Sequence, residues 1–380
     1  MKHFAMMLGV TLLSGWTWAQ KPEKIKMYVV KQQDSTYYAT QSQLWKKEVA
    51  KRPHDEEAWD NYYNATRYAQ WFHDRNNSEE QQLLESMKRA IPNTYTYYKC
   101  AYRYNQGSPE SVRAAEEALR RLPQGHDDYD TWVGYLLLTA QMNRLSEMAR
   151  QYYETGSYSP AILQYNYNEL QGMDEGGIYV GNGDASIIPK LLLQYGKEVH
   201  KDKIIVCFPM LIAKDYAEYV FKKLGLGPVP EPLRPLTSQE AYEAYYQQLM
   251  ETIRNHTIRS LYFSAFNIKD MVPTWTDSLY NEGLVMKYST RLYDNRAVKR
   301  RNVEERYLLD YLRQSFTPRE WTTNSRLTAN YAVLCSDLLP YYKKHDSKRY
   351  QWLYETLTQG INQTDLSGEE KYKYLRLLDK

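Results

Sequence analysis

Cysteine is scarce: the chain of 380 residues holds three, Cys100, Cys207 and Cys335, far apart and in no CxxC spacing. That pattern excludes both a thiolate zinc site and a disulfide framework. Three buried thiols are expected, because each cysteine lies in an apolar stretch; one disulfide is the alternative. A surplus of one charge is missing too. Lys and Arg total 49 against 46 Asp and Glu, a net +3, without the basic footprint of a nucleic-acid-binding protein. Beyond the N-terminus no apolar run approaches the roughly 20 residues that span a bilayer. There is no H-E-x-x-H, no G-x-S-x-G and no Walker lysine, and no Ser/His/Asp set follows from spacing. No catalytic residue, metal ligand or cofactor is therefore predicted.

What the chain does have is tyrosine, 38 residues of it, within a polar composition of mean hydropathy −0.73. A tyrosine packs its ring and keeps its hydroxyl hydrogen-bonded, which suits thin helical layers and contact surfaces. The N-terminus has the grammar of a cleaved signal peptide over residues 1–19. Lys2 and His3 precede the apolar run Phe4 to Leu13, and Thr17-Trp18-Ala19 supplies the small-residue site. Cleavage after Ala19 and a periplasmic or outer-membrane-associated location are expected.

Residues 20–172 repeat a helix–turn–helix pattern. Turns at Pro53, Pro92 and Pro123 separate stripes such as Ala58, Trp59, Tyr62, Tyr63 and Thr66. Their spacings of 39 and 31 residues bracket the roughly 34-residue tetratricopeptide period. A degenerate tetratricopeptide-like solenoid is predicted. Residues 173–295 change grammar. Ile178 to Val180, Lys203 to Phe208 and Ser260 to Phe266 read as strands, and Glu282 to Tyr293 as the place of a fourth. Helices from about Asp215 to Leu224 and from about Ser238 to Asn255 lie between them. Alternating strands and helices predict a small, largely parallel sheet. Residues 296–380 are helical again, entered through the basic cluster Arg296, Lys299, Arg300 and Arg301, which reads as a solvated hinge or else a contact for an acidic or phosphate-bearing partner. The fold class is mainly α with a central α/β unit.

The loop Gly181-Asn182-Gly183-Asp184 follows the first strand and opens a helix, with Ser186 as its expected N-cap and Pro189 in its first turn. Ligands of parallel α/β sheets sit at such carboxyl ends, where glycines admit a ligand to free backbone N–H groups. Asn182, Gly183, Asp184 and Ser186 are thus the candidate ligand-binding residues. A tight turn in which Asp184 only caps locally is the competing reading. Four His-Asp dipeptides, at His54, His73, His126 and His345, fit N-capping aspartates better than metal ligands. Asp34-Ser35-Thr36 and Asp277-Ser278-Leu279 resemble a short O-glycosylation acceptor motif of exported bacterial proteins.

Gly177 to Pro189, the Leu193-Gln194 helix, the Lys203 to Val206 strand, Ser260 to Ser264 and Asn281-Glu282-Gly283-Leu284 carry a resemblance. Together they look like the soluble C-terminal part of a bacterial membrane-protein family related to transmembrane O-mannosyltransferases. The resemblance spans about Gly176 to Tyr293 and implies a shared fold and a shared binding surface, not a shared catalyst. Of that family's Asp-Asn-Asp loop only the first acid is matched, by Asp184, with Ala185 and Ser186 in the other places. The family's multi-pass membrane half has no counterpart. The reading that follows is a non-catalytic binding or scaffold protein of the bacterial cell envelope. It would present a tyrosine-rich helical surface to a protein complex or a glycan, with no nucleic acid and no direct membrane span. A glycan-acting enzyme or substrate-binding module using Asn182-Gly183-Asp184 is the alternative.

Overall fold

The structure, a computed structural model, describes residues 21–28, 30–72, 78–266, 268–313 and 322–379. The expected signal peptide, its cleavage after Ala19 and the His73-Asp74 dipeptide lie outside the described residues. The chain divides into two compact units, one of residues up to Ile25 with Gln33–Gln106, the other of Lys26–Gln32 with Gly107–Lys380. Among the described residues no helix is long and apolar enough to cross a membrane.

The first unit is helical: α1 (Ser35–Lys51), α2 (Glu56–Gln70), α3 (Ser78–Ala90) and α4 (Tyr95–Tyr104). Side-chain oxygens start three of them. Asp34, Asp55 and Thr94 accept from the backbone N–H groups of Tyr37, Ala58 and Tyr97, each satisfying a donor the helix leaves open. Helix α1 packs on α2 and α3 on α4 around Tyr38, Tyr63, Ala65, Met87 and Cys100, all buried. The chain ahead of α1 is tied down as well. Ile25 N–H donates to Asn61 Oδ1 at 2.6 Å, and Trp45 Nε1 donates to the Glu23 carbonyl at 2.8 Å.

The second unit begins with α5 (Pro109–Arg120), α6 (Tyr129–Leu138), α7 (Met142–Glu154) and α8 (Pro160–Gln171). It continues with β1 (Ile178–Gly181), α9 (Asp184–Tyr195), β2 (Ile204–Cys207), α10 (Lys214–Leu224), α11 (Gln239–His256) and β3 (Leu261–Ser264). A short turn α12 (Ile268–Met271) leads to β4 (Leu279–Asn281) and β5 (Val285–Tyr288). Helices α13 (Asn295–Arg301), α14 (Asp310–Arg313), α15 (Thr322–Cys335), α16 (Leu339–His345), α17 (Ser347–Gln363) and α18 (Gly368–Leu378) complete it. The sheet runs β2-β1-β3-β5-β4. The three strands expected to be parallel are parallel, β1 pairing with β2 and β3, while β5 pairs antiparallel with both β3 and β4. The class read from the sequence stands, with a mixed five-stranded sheet. Strands β1 and β3 are buried along their whole length, as continuous apolar runs covered on both faces should be.

Helix α8 joins the α/β unit to the C-terminal helices. Its Asn168 sits wholly inside, accepting from Leu308 N–H at 2.8 Å and donating to the Tyr331 hydroxyl at 2.8 Å. Ser159, capping the helix, bonds Asn324 at 2.5 Å. The basic cluster is not wholly a solvated hinge. Lys299 is buried, 2.6 Å from Asp337 and bonded to the Leu334 carbonyl, and Arg300 donates to the Tyr341 hydroxyl. Only Arg296 and Arg301 of that cluster are exposed. At Gly283, φ is +120° and the Tyr307 ring occupies the space of a side chain, which leaves glycine as the one residue that fits.

Candidate functional site

The glycine loop lies at the carboxyl end of β1, as read from the sequence, but its helix starts differently. Gly183, not Ser186, is the N-cap of α9, with φ +93°, and Asp184 is the first helical residue. Gly183 carbonyl accepts from the N–H groups of Ser186 and Ile187, both at 3.2 Å. Ser186 stands one turn in, its hydroxyl donating back to the carbonyls of Asn182 and Gly183 at 3.3 Å. An N-cap must lie outside the helix to accept from it; the αL-accessible glycine took that place. Pro189 likewise falls inside the helix rather than in its first turn. A proline there leaves the carbonyl four residues back without its donor. That carbonyl, Ala185, accepts instead from Asn166 Nδ2 of α8 at 3.1 Å.

Asn166 is one corner of a polar cluster beneath the loop. Lys190 Nζ donates to Asn166 Oδ1 at 2.5 Å, to Glu169 Oε2 at 2.5 Å and to the Ser186 carbonyl at 3.0 Å. It also lies 3.9 Å from the centre of the Tyr179 ring, whose hydroxyl donates to Glu169 Oε1 at 3.2 Å. Asn166, Glu169, Tyr179 and Lys190 are all buried. Burial pushes the Glu169 carboxyl up and the Lys190 ammonium down, each opposed by the other's charge. The Tyr179 ring folds under Gly181, where a Cβ would meet Tyr179 Cε1 at 2.6 Å and Ser186 Oγ at 2.7 Å. The sequence held a signal for this cluster that spacing alone did not read. Lys190 is the one charge in Ile187-Ile188-Pro189-Lys190-Leu191-Leu192-Leu193, and a lysine in an all-apolar helix must be paired.

Of the four candidate residues, Gly183 and Asp184 are exposed, Asn182 and Ser186 are half-buried. No hydrogen-bond partner for the Asp184 carboxylate is found among the described residues, and desolvation by the protein around it raises its pKa. Cys207, at the carboxyl end of β2, is a free and buried thiol that burial pushes up to about 12, so it carries no thiolate nucleophile at neutral pH. Cys100 and Cys335 are free and buried as well. The His-Asp pairs divide. Asp55 and Asp346 cap α2 and α17, whereas at His126-Asp127 the cap position of α6 falls to Asp128. Asp34 of the first acceptor-like motif is the N-cap of α1. Among the described residues no three His, Cys, Asp or Glu side chains are grouped to hold a metal ion.

A pocket of about 360 Å³ opens elsewhere, at the outer edge of β2, and none of the four loop residues lines it. Set against known proteins, the chain matches no family model, no curated protein and no solved structure.

Proposed function

We propose that the chain is a non-catalytic binding or scaffold protein of the bacterial cell envelope, holding a protein or glycan partner. One observation carries the reading: at the carboxyl ends of the strands, the groups able to do chemistry are spent on the fold. Lys190 is locked to Glu169, the Ser186 hydroxyl is turned onto backbone carbonyls, and the Cys207 thiol is sealed. What faces outward is Asn182, Gly183 and Asp184, a hydrogen-bonding rim. The tyrosines support a rigid scaffold more than an exposed tyrosine surface. Their hydroxyls clamp helices through acids, as Tyr63 does to Glu80, Tyr135 to Glu116 and Tyr152 to Asp130.

A glycan-acting module remains the second reading, favoured by the exposed place of Asp184 at the carboxyl end of a parallel strand, where ligands of α/β sheets sit. One experiment separates the two. The immobilised chain is offered envelope extract and a panel of bacterial glycans, beside Asp184→Ala. Binding without turnover, weakened by Asp184→Ala, supports the scaffold; a glycan cleaved or transferred by the chain overturns it.

A further inference from the structure

The pocket on the outer edge of β2 combines features that the loop lacks. Strand β2 is the sheet's edge. Ile204 N–H donates at 3.0 Å to the carbonyl of Gly177, the residue just ahead of β1. In a parallel ladder alternate residues turn their N–H and C=O to the same neighbour. Ile205 therefore turns both groups away from β1, and Ile205 is among the residues that line the pocket. An unpaired strand edge is a template for another extended chain.

The walls around that edge are apolar at depth and cationic at the rim. Leu191 of α9 and Val220 of α10 are buried beside it. Tyr195 and Tyr219 stand next to them as neutral phenols. Burial pushes the Tyr195 hydroxyl up to about 12 and raises that of Tyr219, and neither has a hydrogen-bond partner among the described residues. The charged side chains lining the pocket are Arg150, Lys201, Lys203 and Lys223 against the single acid Glu198. Three of the cations are held by neighbouring acids, Arg150 by Glu147, Lys201 by Glu198 and Lys203 by Asp202. Lys223 has no ion-pair partner among the described residues. At about 360 Å³ the volume falls at the small end of the range for ligand pockets, roughly 300–1,000 Å³.

We infer that this pocket binds the C-terminal end of a short peptide, which adds as a strand to Ile205 and sets its free carboxylate against Lys223. The inference goes beyond the loop-centred reading above and shares no residue with it. One N–H and one C=O on a single residue match the N–H and C=O of one ligand residue. The apolar floor takes that residue's side chain, and the two phenols offer hydrogen bonds to the ligand backbone. A carboxylate answers Lys223, the lining cation with no ion-pair partner among the described residues. Lys222 and Lys223 also complement the carbonyl end of α10, but of the two only Lys223 reaches the pocket lining.

The test titrates fluorescent tripeptides with an apolar last residue into the full chain, in three forms: free carboxylate, C-terminal amide, and N-methylated at the last peptide bond. Free-carboxylate peptides are expected to bind, with at least tenfold loss on amidation, on N-methylation, or on Lys223→Glu, an exposed change checked by circular dichroism. Asp184→Ala should leave this binding unchanged, so failure here and failure of the loop reading can be told apart. Equal binding of acid and amide, no binding at millimolar peptide, or indifference to Lys223→Glu would overturn the inference.

Discussion

The two units differ in what they leave out. Between Gln33 and Gln106 there is no glycine, while all the glycines of the described residues lie from Gly107 onward. The first unit's stack of helices can be written without glycine, because its turns run on capping side chains such as Asp55 and Thr94 and on Asn93, which takes φ 60° in a glycine's stead. A strand that must turn at once into a helix cannot, and Gly181 and Gly183 both serve that turn. The units also bury charge differently. In the first, Lys99 is inside, but its partner Asp60, 2.9 Å away, keeps a quarter of its side chain in solvent. In the second, Lys190 and Glu169 are 0% and 2% exposed. A half-wet pair is loosely coupled to stability, whereas a dry one cannot lose either member cheaply.

The largest effect should come from that contrast. Lys190→Met leaves Glu169 dry and without its cation, and we expect a loss of about 3–5 kcal/mol in urea unfolding. Lys99→Met, whose orphaned Asp60 can hydrate, should lose about 1 kcal/mol. The double change Lys190→Met with Glu169→Leu should cost less than Lys190→Met alone. If Lys99→Met proves the more damaging, the comparison of the units fails.

Next come the glycines. Gly181→Ala drives a methyl into Tyr179 and Ser186, and overpacking of this kind costs about 1–3 kcal/mol. Gly134, inside α6, has nothing within 4 Å of a new Cβ. There Gly134→Ala should raise stability by up to about 1 kcal/mol. Thermal unfolding of the two variants, side by side, measures the difference.

A smaller, pH-dependent effect belongs to Asp174. Burial raises its carboxyl, but hydrogen bonds from Lys287, Tyr262 and Ser260 outweigh this and hold it below the ordinary 3.8. An acid with a depressed folded pKa stabilises above its unfolded value, and the contribution is lost as pH falls through the folded one. Asp174→Asn should therefore cost about 1 kcal/mol at pH 6, since the carboxylate is half exposed, and nothing near about pH 2. A loss that is the same at both pH values would show that the charge plays no part.

These sites mark how far the sequence could be read. Local patterns located β1, β2 and β3, and the stop of α10 at Gly225, where φ is +71°. They missed β4, three residues long and held by pairing with β5, because a strand that short has no periodicity of its own. They misplaced the cap of α9, since both Gly183 and Ser186 suit that position and only the path of the chain decides. The pairing of Lys190 was out of reach for another reason. Its partners Asn166, Glu169 and Tyr179 come from α8 and β1, and contacts between elements leave no spacing signature in one chain. Lys299 misled in the same way: a cation in a basic run reads as solvated until Asp337 is found beside it.

The smallest expected change in stability is at Asp184, and it bears most directly on function. Two forces act on this carboxylate. Desolvation raises its pKa, so the ionised form is disfavoured in the folded state. Its contribution is then fully present below the unfolded value near 3.8 and lost as pH rises through the folded one. Against this, the first residue of α9 sits at the positive end of the helix dipole, which favours an anion by about 0.3–1 kcal/mol. Asp184 is exposed and its carboxylate has no hydrogen-bond partner among the described residues, so Asp184→Ala should shift stability by no more than about 0.5 kcal/mol. Ser186→Ala, which removes two long bonds rather than a cap, should cost about 1 kcal/mol or less. A carboxylate that the fold neither needs nor pairs is available to a partner. Melting temperature and partner binding, measured on both variants, decide the matter. If Asp184→Ala melts early and binds normally, the residue belongs to the fold, and the exposed rim of the α/β unit is only a turn.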